Sequence, residues 1–516
     1  MQKQNKTIPQ YNRNYFLGNG ARILGNSITE EFTILQKEDF MEKKLRICTW
    51  TMLAALVWGA LLMIVSEIYR LPTSDNYFML AHSKLIHEQG FVTTEMLRMH
   101  KGFQFVIPQW LYAEFFSFCI NVFGTAAGYK LAGFLTFGTL ILALFTMITF
   151  LYKKSAECLL YGMLMLGVTF LFFNGVRPFY FTVSILMIET IFLEQYVKTK
   201  KMMFLFVLPF LSIVLINVHN SLWVGFFLVL LCYLVESAIQ SIRNHRFEVG
   251  KLLLVTGVSA LAGLINPYGL DYILYIVNSM DSVKPLIGII GELTPLYQNA
   301  SIPFLLFFAG ITIYFFVHIK QLPIRMILLF FGFALASILY KRNLILFFTI
   351  GQLGMYWLLQ KPSKKTIFRT AKYSYFLLAL SFLILFCTCK TNFYSGRSFY
   401  QAIDQIDATN HPSIFCTVMD AGSYATMKGC RPYIDGCAEI YGIKNNKQEN
   451  IAKEFAEFSM EKIDELIEKY QFDYLLLYDK IHHKNYELIG VFNKDSMGQE
   501  DNTYYLYKAT VYPNVS

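Results

Sequence analysis

Long uninterrupted apolar stretches constrain this chain more than any other feature of its sequence. Each runs for about 17 to 25 residues, the length that an α-helix needs to cross a lipid bilayer. Inside a bilayer every backbone N–H and C=O must find a partner within its own segment, so these stretches can only be helices. Charged residues make up 16% of the chain, below the roughly 25% of soluble domains. The sequence therefore predicts a polytopic α-helical membrane protein of about 11 to 12 helices.

The predicted membrane body covers residues 47–390. Eight lysines and arginines precede its first span, 47–66, which places the tail 1–46 in the cytoplasm. A polar outer loop, 67–104, follows and is expected to contain a short amphipathic helix on the membrane surface. Further apolar stretches lie at 105–123, 128–151, 158–174, 178–197, 202–218, 221–240, 252–266, 301–319, 323–340, 343–360 and 373–389.

The basic loops predict the orientation of the later spans. Three clusters, at 198–201, 243–246 and 361–365, are expected on the cytoplasmic side because short cytoplasmic loops are enriched in lysine and arginine. Successive spans then cross the membrane in alternating directions, consistent with these loops, only if the stretch 105–123 enters the outer leaflet without crossing the membrane. The net charge of +9 is explained by these loops, so the sequence gives no reason to expect nucleic acid as a partner.

The composition changes at residue 391, where a small extracytoplasmic α/β domain, 391–516, is predicted. An amphipathic helix is expected over 448–470. Short strands are expected in SIFCTVMD (413–420), RPYIDG (431–436), FDYLLLYD (472–479) and TYYLYKA (503–509).

Ionisable side chains within apolar segments are the first candidates for function, because burying one in a bilayer costs about 2.5–3.5 kcal/mol. The apolar stretches contain Glu114, Arg177, Glu189, His219 and Arg342, and the outer loop adds Asp75 and His82. The predicted orientation places one set near the outer face: Asp75, Arg177, His219, Asn266 and Arg342. Carboxylate, guanidinium and imidazole groups together suit a phosphate-bearing substrate and a general base.

Each of these residues also has a purely structural interpretation. Arg177 and Arg342 fit snorkelling residues at the membrane interface equally well. His219 fits a satisfied histidine at a helix end, and Asp75, just after Pro72, fits a helix N-cap. The carboxylates within 178–197 are more simply explained as helix caps near the cytoplasmic edge.

The order of several motifs resembles the GT-C superfamily of membrane glycosyltransferases, which use polyprenyl-phosphate-linked sugars. An acidic residue lies in the outer loop just after the first span, and the resemblance extends over nearly the whole chain. It is carried by SDNYFMLAHSKLIHEQG, PQWLYAEFF, NGVRPFYFT, INVHNSLWVGF, GLINPYGLDYI, YKRNLILF and GSYATMKGCRPYIDGCAEIYG, in that order.

The resemblance implies a role for each candidate. Asp75 would be the general base that takes a proton from an acceptor hydroxyl as this oxygen attacks the anomeric carbon, which inverts the stereochemistry. Arg342 would pair with the lipid phosphate and stabilise the leaving group. The remaining substrate contacts are expected from His82, Glu114, Arg177 and His219.

The chain departs from the family pattern at three places. Asn220 and Ser221 replace a glycine pair that many members carry, and Cys437 follows the Asp-Gly pair of the C-terminal motif where an arginine is usual. No Asp-x-Asp pattern follows Asp75, and metal-dependent members use paired acids to hold a divalent ion. A mechanism without metal or cofactor is therefore favoured.

The function expected from this resemblance is transfer of a sugar from a polyprenyl-phosphate donor to an envelope glycan, lipid or protein on the outer membrane face. Two other classes remain open: a lipid-linked glycan polymerase, ligase or flippase, and a non-catalytic envelope assembly protein. A flippase needs no carboxylate base beside the first span, so Asp75 discriminates against it.

Overall fold

The computed structural model describes residues 72–100, 102–152, 156–170, 175–245, 249–278, 284–287, 289–360, 397–441, 450–494 and 500–510. All of them belong to one compact unit, Ala55–Ser516. The predicted tail 1–46 and the predicted spans 47–66 and 373–389 lie outside the described residues.

The body is mostly helical. Its helices are α1 Ser74–Gln89, α2 Trp110–Phe123, α3 Thr125–Leu151, α4 Ala156–Phe170, α5 Pro178–Thr199, α6 Val207–Val218, α7 Trp223–Asn244, α8 Gly250–Ala262, α9 Leu270–Asn278, α10 Leu296–Asn299, α11 Ile302–Val317, α12 Ile324–Leu339, α13 Leu344–Phe348 and α14 Leu353–Leu359. Short 3₁₀ helices connect several of them: Met202–Phe204, Asn220–Leu222, Lys284–Leu286, Ile319–Gln321, Lys341–Asn343 and Ile350–Gln352.

Three helical stretches of the described chain are long and apolar enough to cross a membrane. They are Thr125–Leu151, Pro178–Thr199 and Asn220–Asn244, and six shorter apolar helices accompany them. Helix α3 packs between α2 and α5. The contact with α2 is close because Gly128 has no side chain: a Cβ there would lie 2.2 Å from the carbonyl oxygen of Cys119.

A buried ion-pair network joins α5, α7 and α12 near the C-terminal end of α5. The Arg325 guanidinium binds both carboxylate oxygens of Glu194, at 2.6 and 2.9 Å, and one oxygen of Glu236, at 2.5 Å. The Tyr233 hydroxyl also donates to Glu194. The expectation that Glu194 caps a helix is therefore wrong, because its carboxylate forms an ion pair with Arg325 of α12. Glu189 does not cap a helix either: its side chain is buried within α5, without a hydrogen-bond partner among the described residues.

We expect Arg325→Met to destabilise the body by roughly 3 kcal/mol, because it leaves two buried carboxylates without their cation. The measurement is thermal unfolding of the purified protein in detergent micelles. Lys320→Met, at an exposed lysine, is the matched control and should unfold like the wild type. A transition for Arg325→Met within 0.5 kcal/mol of the wild type (about the scatter of surface substitutions) would contradict the prediction.

The C-terminal domain is a mixed five-stranded sheet with helices. The strands β1 Ser413–Cys416, β2 Arg431–Pro432, β3 Tyr474–Leu477, β4 Tyr486–Lys494 and β5 Glu500–Ala509 pair in the order β2-β1-β3-β5-β4. Strand β1 is parallel to β2 and β3, and β5 is antiparallel to β3 and β4. The helices are α15 Ser398–Asp404, α16 Met419–Lys428, α17 Ile451–Ala456 and α18 Ile463–Tyr470, with 3₁₀ turns at Ala438–Tyr441 and Met460–Lys462.

Two sequence expectations for this domain are corrected, and one strand was missed. The strand predicted over 413–420 ends at Cys416, and Met419 begins α16, which buries Ala421 and Ala425 on one face. The helix predicted over 448–470 is interrupted, because Ser459 has extended backbone angles and begins a new turn. Strand β4 was not predicted, although its residues alternate between exposed and half-buried positions.

Candidate functional site

A cavity of about 700 Å³ lies where the outer-loop helix, the first turn of α5, the loop before α10 and the C-terminal domain meet. Asp75, Arg177, His219 and Arg342 all line it, although they are far apart in sequence. The structure therefore brings four of the six predicted site residues to one place.

Asp75 lies in the first turn of α1 but does not cap it. Thr73 is the N-cap, and its backbone N–H donates to the Asn76 side chain at 2.8 Å. The Asn76 amide in turn donates to the carbonyl of Val176 at 2.6 Å, which fixes the start of α1 against the residues before α5. Thr73 and Asn76 thus cap the helix, and the Asp75 carboxylate lines the cavity.

Arg177 holds two carboxylates of the cavity. It occupies the N-cap position of α5, in an extended conformation, ahead of Pro178 at the first helical position. Its Nε lies 3.2 Å from Oδ2 of Asp75, and its Nη1 donates to the Glu292 carboxylate. Glu292 was missed in the sequence because it lies in the loop between the apolar stretches 252–266 and 301–319, where a carboxylate does not pay the cost of burial in a bilayer.

Arg342 lies in the 3₁₀ turn Lys341–Asn343, on the wall beside Glu292. Its backbone N–H donates to the Glu292 carbonyl at 2.9 Å, and the N–H of Lys341 donates to the carbonyl of Thr294 at 3.1 Å. These bonds join the two loops into one wall. Within the described part of the chain, no hydrogen bond or ion pair engages the Arg342 guanidinium, so it is available to an anion.

His219 is held between two hydroxyl groups at the end of α6. Its Nδ1 lies 3.3 Å from the Thr182 hydroxyl and its Nε2 lies 3.1 Å from the Ser221 hydroxyl. The backbone N–H of the next residue, Asn220, donates to the carbonyl of Pro108, which fixes this turn against the segment just before α2.

His82, Glu114 and Asn266 do not line the cavity. His82 is fully buried between Phe78 and Phe105, and burial lowers its pKa to about 3, so it is a neutral core histidine. Glu114 contacts the Nε2 of His87 at 3.1 Å. Asn266 closes a local turn through the carbonyls of Gly263 and Gly269.

The C-terminal domain supplies one wall of the cavity, which the sequence did not predict. Thr417, Asp420, Gly436, Glu439 and Tyr478 all belong to this wall. The Asp420 carboxylate also contacts Arg397 at 3.5 Å. The domain thus adds the carboxylates of Asp420 and Glu439 to a cavity whose guanidiniums come from the body.

The electrostatic environment raises the proton affinity of the Asp75 carboxyl. Burial raises the pKa of Asp75, and Glu292 and Asp420 act in the same direction, against the lowering effect of Arg177 and Arg342. Burial likewise raises the pKa of Glu439. A carboxylate with a raised pKa is a stronger base, which suits proton abstraction. Across the described ranges, no three Asp, Glu, His or Cys side chains cluster closely enough to hold a metal ion.

Comparison with solved structures identifies this architecture. The oligosaccharyltransferase of Archaeoglobus fulgidus, tethered to an acceptor peptide containing the NVT sequon, matches with a TM-score of 0.51 at 12% identity, over 83% of this chain and 69% of that chain. This chain has the fold of that oligosaccharyltransferase. The predicted fold class, a polytopic helical body followed by a small α/β domain, is confirmed, and the chain is a multi-pass membrane protein.

Two further structures of the same archaeal enzyme match less closely. The apo form and a complex with an inhibitory peptide and a dolichol-phosphate each have a TM-score of 0.47 at 10% identity, over 83% of this chain and 69% of theirs. No protein-family model and no curated protein matches the sequence.

Proposed function

We propose that this protein is a glycosyltransferase that moves a sugar from a polyprenyl-phosphate donor to an acceptor on the outer face of the membrane. The observation that carries this proposal is the shared cavity of Asp75 and Arg342, a candidate base and a candidate phosphate ligand. The common fold with an oligosaccharyltransferase supports the same class of reaction.

In the proposed reaction an acceptor hydroxyl attacks the anomeric carbon of the donor sugar. Asp75 takes the hydroxyl proton, the new C–O bond forms, and the bond between the anomeric carbon and the phosphate oxygen breaks with inversion. Arg342 stabilises the negative charge that develops on the departing lipid phosphate. Arg177 orients the Asp75 carboxylate, and no step requires a metal ion.

Two long helices support the outer location of the cavity. Helix α5 begins at the cavity with Pro178 and ends beside the basic cluster 198–201, and α7 runs from the His219 turn toward the cluster at 243–246. Each has 22 residues and is about 33 Å long, close to the thickness of the hydrocarbon core. If the basic clusters are cytoplasmic, the cavity and the C-terminal domain are extracytoplasmic.

The proposal is tested by transfer from a radiolabelled polyprenyl-phosphate sugar, with purified protein reconstituted into sealed vesicles that also contain an envelope extract as acceptor. We expect label to move from the organic to the polymer or protein fraction. It should do so when donor and acceptor are on the same side as the C-terminal domain. Movement of the lipid-linked sugar between leaflets without transfer would instead identify a flippase. If the sugar neither moves between leaflets nor is transferred, the non-catalytic assembly protein is the class that remains.

The pH profile of transfer should respond to Arg177 with a defined sign. Asp75 acts deprotonated, so activity rises with pH through its pKa. Arg177→Gln removes the largest influence that lowers this pKa, and the acidic limb should move to higher pH. Initial rates measured across the pH range check this, with Lys251→Gln, an exposed lysine, as control. An acidic limb that stays in place or moves to lower pH would exclude Asp75 as the titrating base.

A further inference from the structure

A buried ion pair fastens the C-terminal domain to the outer loop. The Arg98 side chain is fully buried, and it binds Oδ2 of Asp435 through Nε at 2.9 Å and through Nη2 at 2.8 Å. Its Nη1 binds the carboxylate of Glu95 at 2.8 Å, in the same loop. Asp435 lies 337 positions further along the chain, so this contact joins two parts that the sequence keeps far apart.

Asp435 uses its remaining hydrogen-bonding capacity to shape its own turn. Its Oδ1 accepts from the Tyr441 hydroxyl at 2.8 Å and from the backbone N–H of Cys437 at 3.1 Å. Its Oδ2 also accepts from the Thr426 hydroxyl at 3.1 Å. Burial alone would raise the pKa of Asp435, but Arg98 and these donors hold it below the usual range, so the carboxylate remains charged.

Two neighbouring contacts extend the interface. The N–H of Met99 donates to the carbonyl of Pro432 at 3.3 Å, and Nε2 of His100 lies 2.6 Å from the carbonyl of Tyr433. The two loop residues after Arg98 thus run alongside the domain segment that leads to Asp435.

The turn that Asp435 shapes is part of the cavity wall. Gly436, the next residue, packs so closely on the start of α1 that a Cβ there would lie 2.6 Å from Oγ of Ser74. Ala438 and Glu439 line the cavity. Ser74 precedes the candidate base, so displacement of this turn changes the space directly beside Asp75.

We propose that Arg98 and Asp435 are positioning residues of the transferase site, which hold the C-terminal domain as the acceptor-side wall. The proposal rests on the proposed function and deepens it. Arg342 and His219 are held by hydrogen bonds within the body, to Glu292 and to Thr182 and Ser221, and none of these bonds involves the C-terminal domain. Loss of the ion pair therefore impairs use of the acceptor and leaves binding of the lipid phosphate intact.

An engineered disulfide measures how the C-terminal domain packs on the start of α1, and it requires no assumption about the reaction that the protein catalyses. A Cβ built on Gly436 lies 3.3 Å from the Cβ of Ser74, close to the separation of about 3.5–4.5 Å in disulfides. In the full chain carrying Ser74→Cys and Gly436→Cys, oxidant should form this disulfide rapidly. Adding Arg98→Gln should slow its formation at least tenfold, while Arg98→Lys, which keeps the charge, should recover at least half of the rate. Arg431→Gln, at an exposed arginine of β2, is the matched control.

The functional arm uses the same substitutions at position 98 without the cysteines. Arg98→Gln should lower transfer at least tenfold, while the Kd for undecaprenyl phosphate, the probe for the donor, stays within threefold of the wild type. Unchanged cross-linking, unchanged transfer, or a Kd that rises in step with the loss of transfer would each overturn the proposal. If the wild type neither binds the probe nor transfers sugar, the proposed function fails, and the cross-linking arm still decides whether Arg98 docks the domain.

Discussion

Asp75→Asn should lower sugar transfer by about 10²–10⁴-fold, the range that a general base contributes. The substitution removes the proton acceptor and preserves the volume of the side chain. It leaves the helix intact because Thr73 and Asn76 provide the cap. Arg177 keeps its contact with Glu292, so the cavity wall should also persist.

The measurement compares initial transfer rates and the Kd for undecaprenyl phosphate in the same reconstituted preparation. We expect the Kd to change less than threefold, because the role proposed for Asp75 is to take a proton from the acceptor. Glu88→Gln is the matched control: it removes a carboxylate from the exposed far end of the same helix. An Asp75→Asn protein with wild-type transfer would eliminate the base mechanism and favour the flippase or scaffold class.

The helical body was predictable from sequence because bilayer crossing imposes a length and an apolar composition on each segment. The stretches 128–151 and 178–197 correspond closely to Thr125–Leu151 and Pro178–Thr199. The C-terminal domain was less predictable, because its short segments lack such a constraint. All six residues from Ile414 to Met419 are β-branched or apolar, and only tertiary packing decides that the strand ends at Cys416 and that Met419 begins a helix.

The same physical reason separates the site residues that the sequence revealed from those that it did not. Arg177 and Arg342 stood out because a charge beside apolar segments is costly and needs a compensating partner or ligand. Glu292 and Asp420 lie outside the predicted membrane spans, where a carboxylate has no unusual cost, so the sequence did not indicate that they are neighbours of Asp75.

A costly polar group is also not always a site residue. His82 has no hydrogen-bond partner among the described residues, yet it packs against aromatic rings away from the cavity. The Glu114 carboxylate contacts the His87 ring. Burial therefore identifies side chains that need an explanation, and only three-dimensional proximity to Asp75 distinguishes a candidate ligand from a packed residue.

Arg342→Ala should weaken binding of undecaprenyl phosphate and also lower transfer, by about 10²–10³-fold for the rate. A preorganised donor aimed at developing negative charge contributes on that scale. The loss should be larger than for Arg177, whose guanidinium is already engaged by Asp75 and Glu292. Among the cationic side chains of the site, Arg342 is the one whose guanidinium carries no hydrogen bond or ion pair within the described residues.

The two substitutions in the cavity are thus expected to leave different kinetic patterns. Asp75→Asn should lower kcat with little change in donor binding, whereas Arg342→Ala should change both. Arg342→Lys restores the charge without the planar fork and should recover only part of the loss. Arg243→Ala, at an exposed arginine near the other end of α7, controls for a general loss of positive charge. An Arg342→Ala protein that binds the probe as tightly as the wild type would show that the donor phosphate does not lie against this residue, and the proposed role of Arg342 would be wrong.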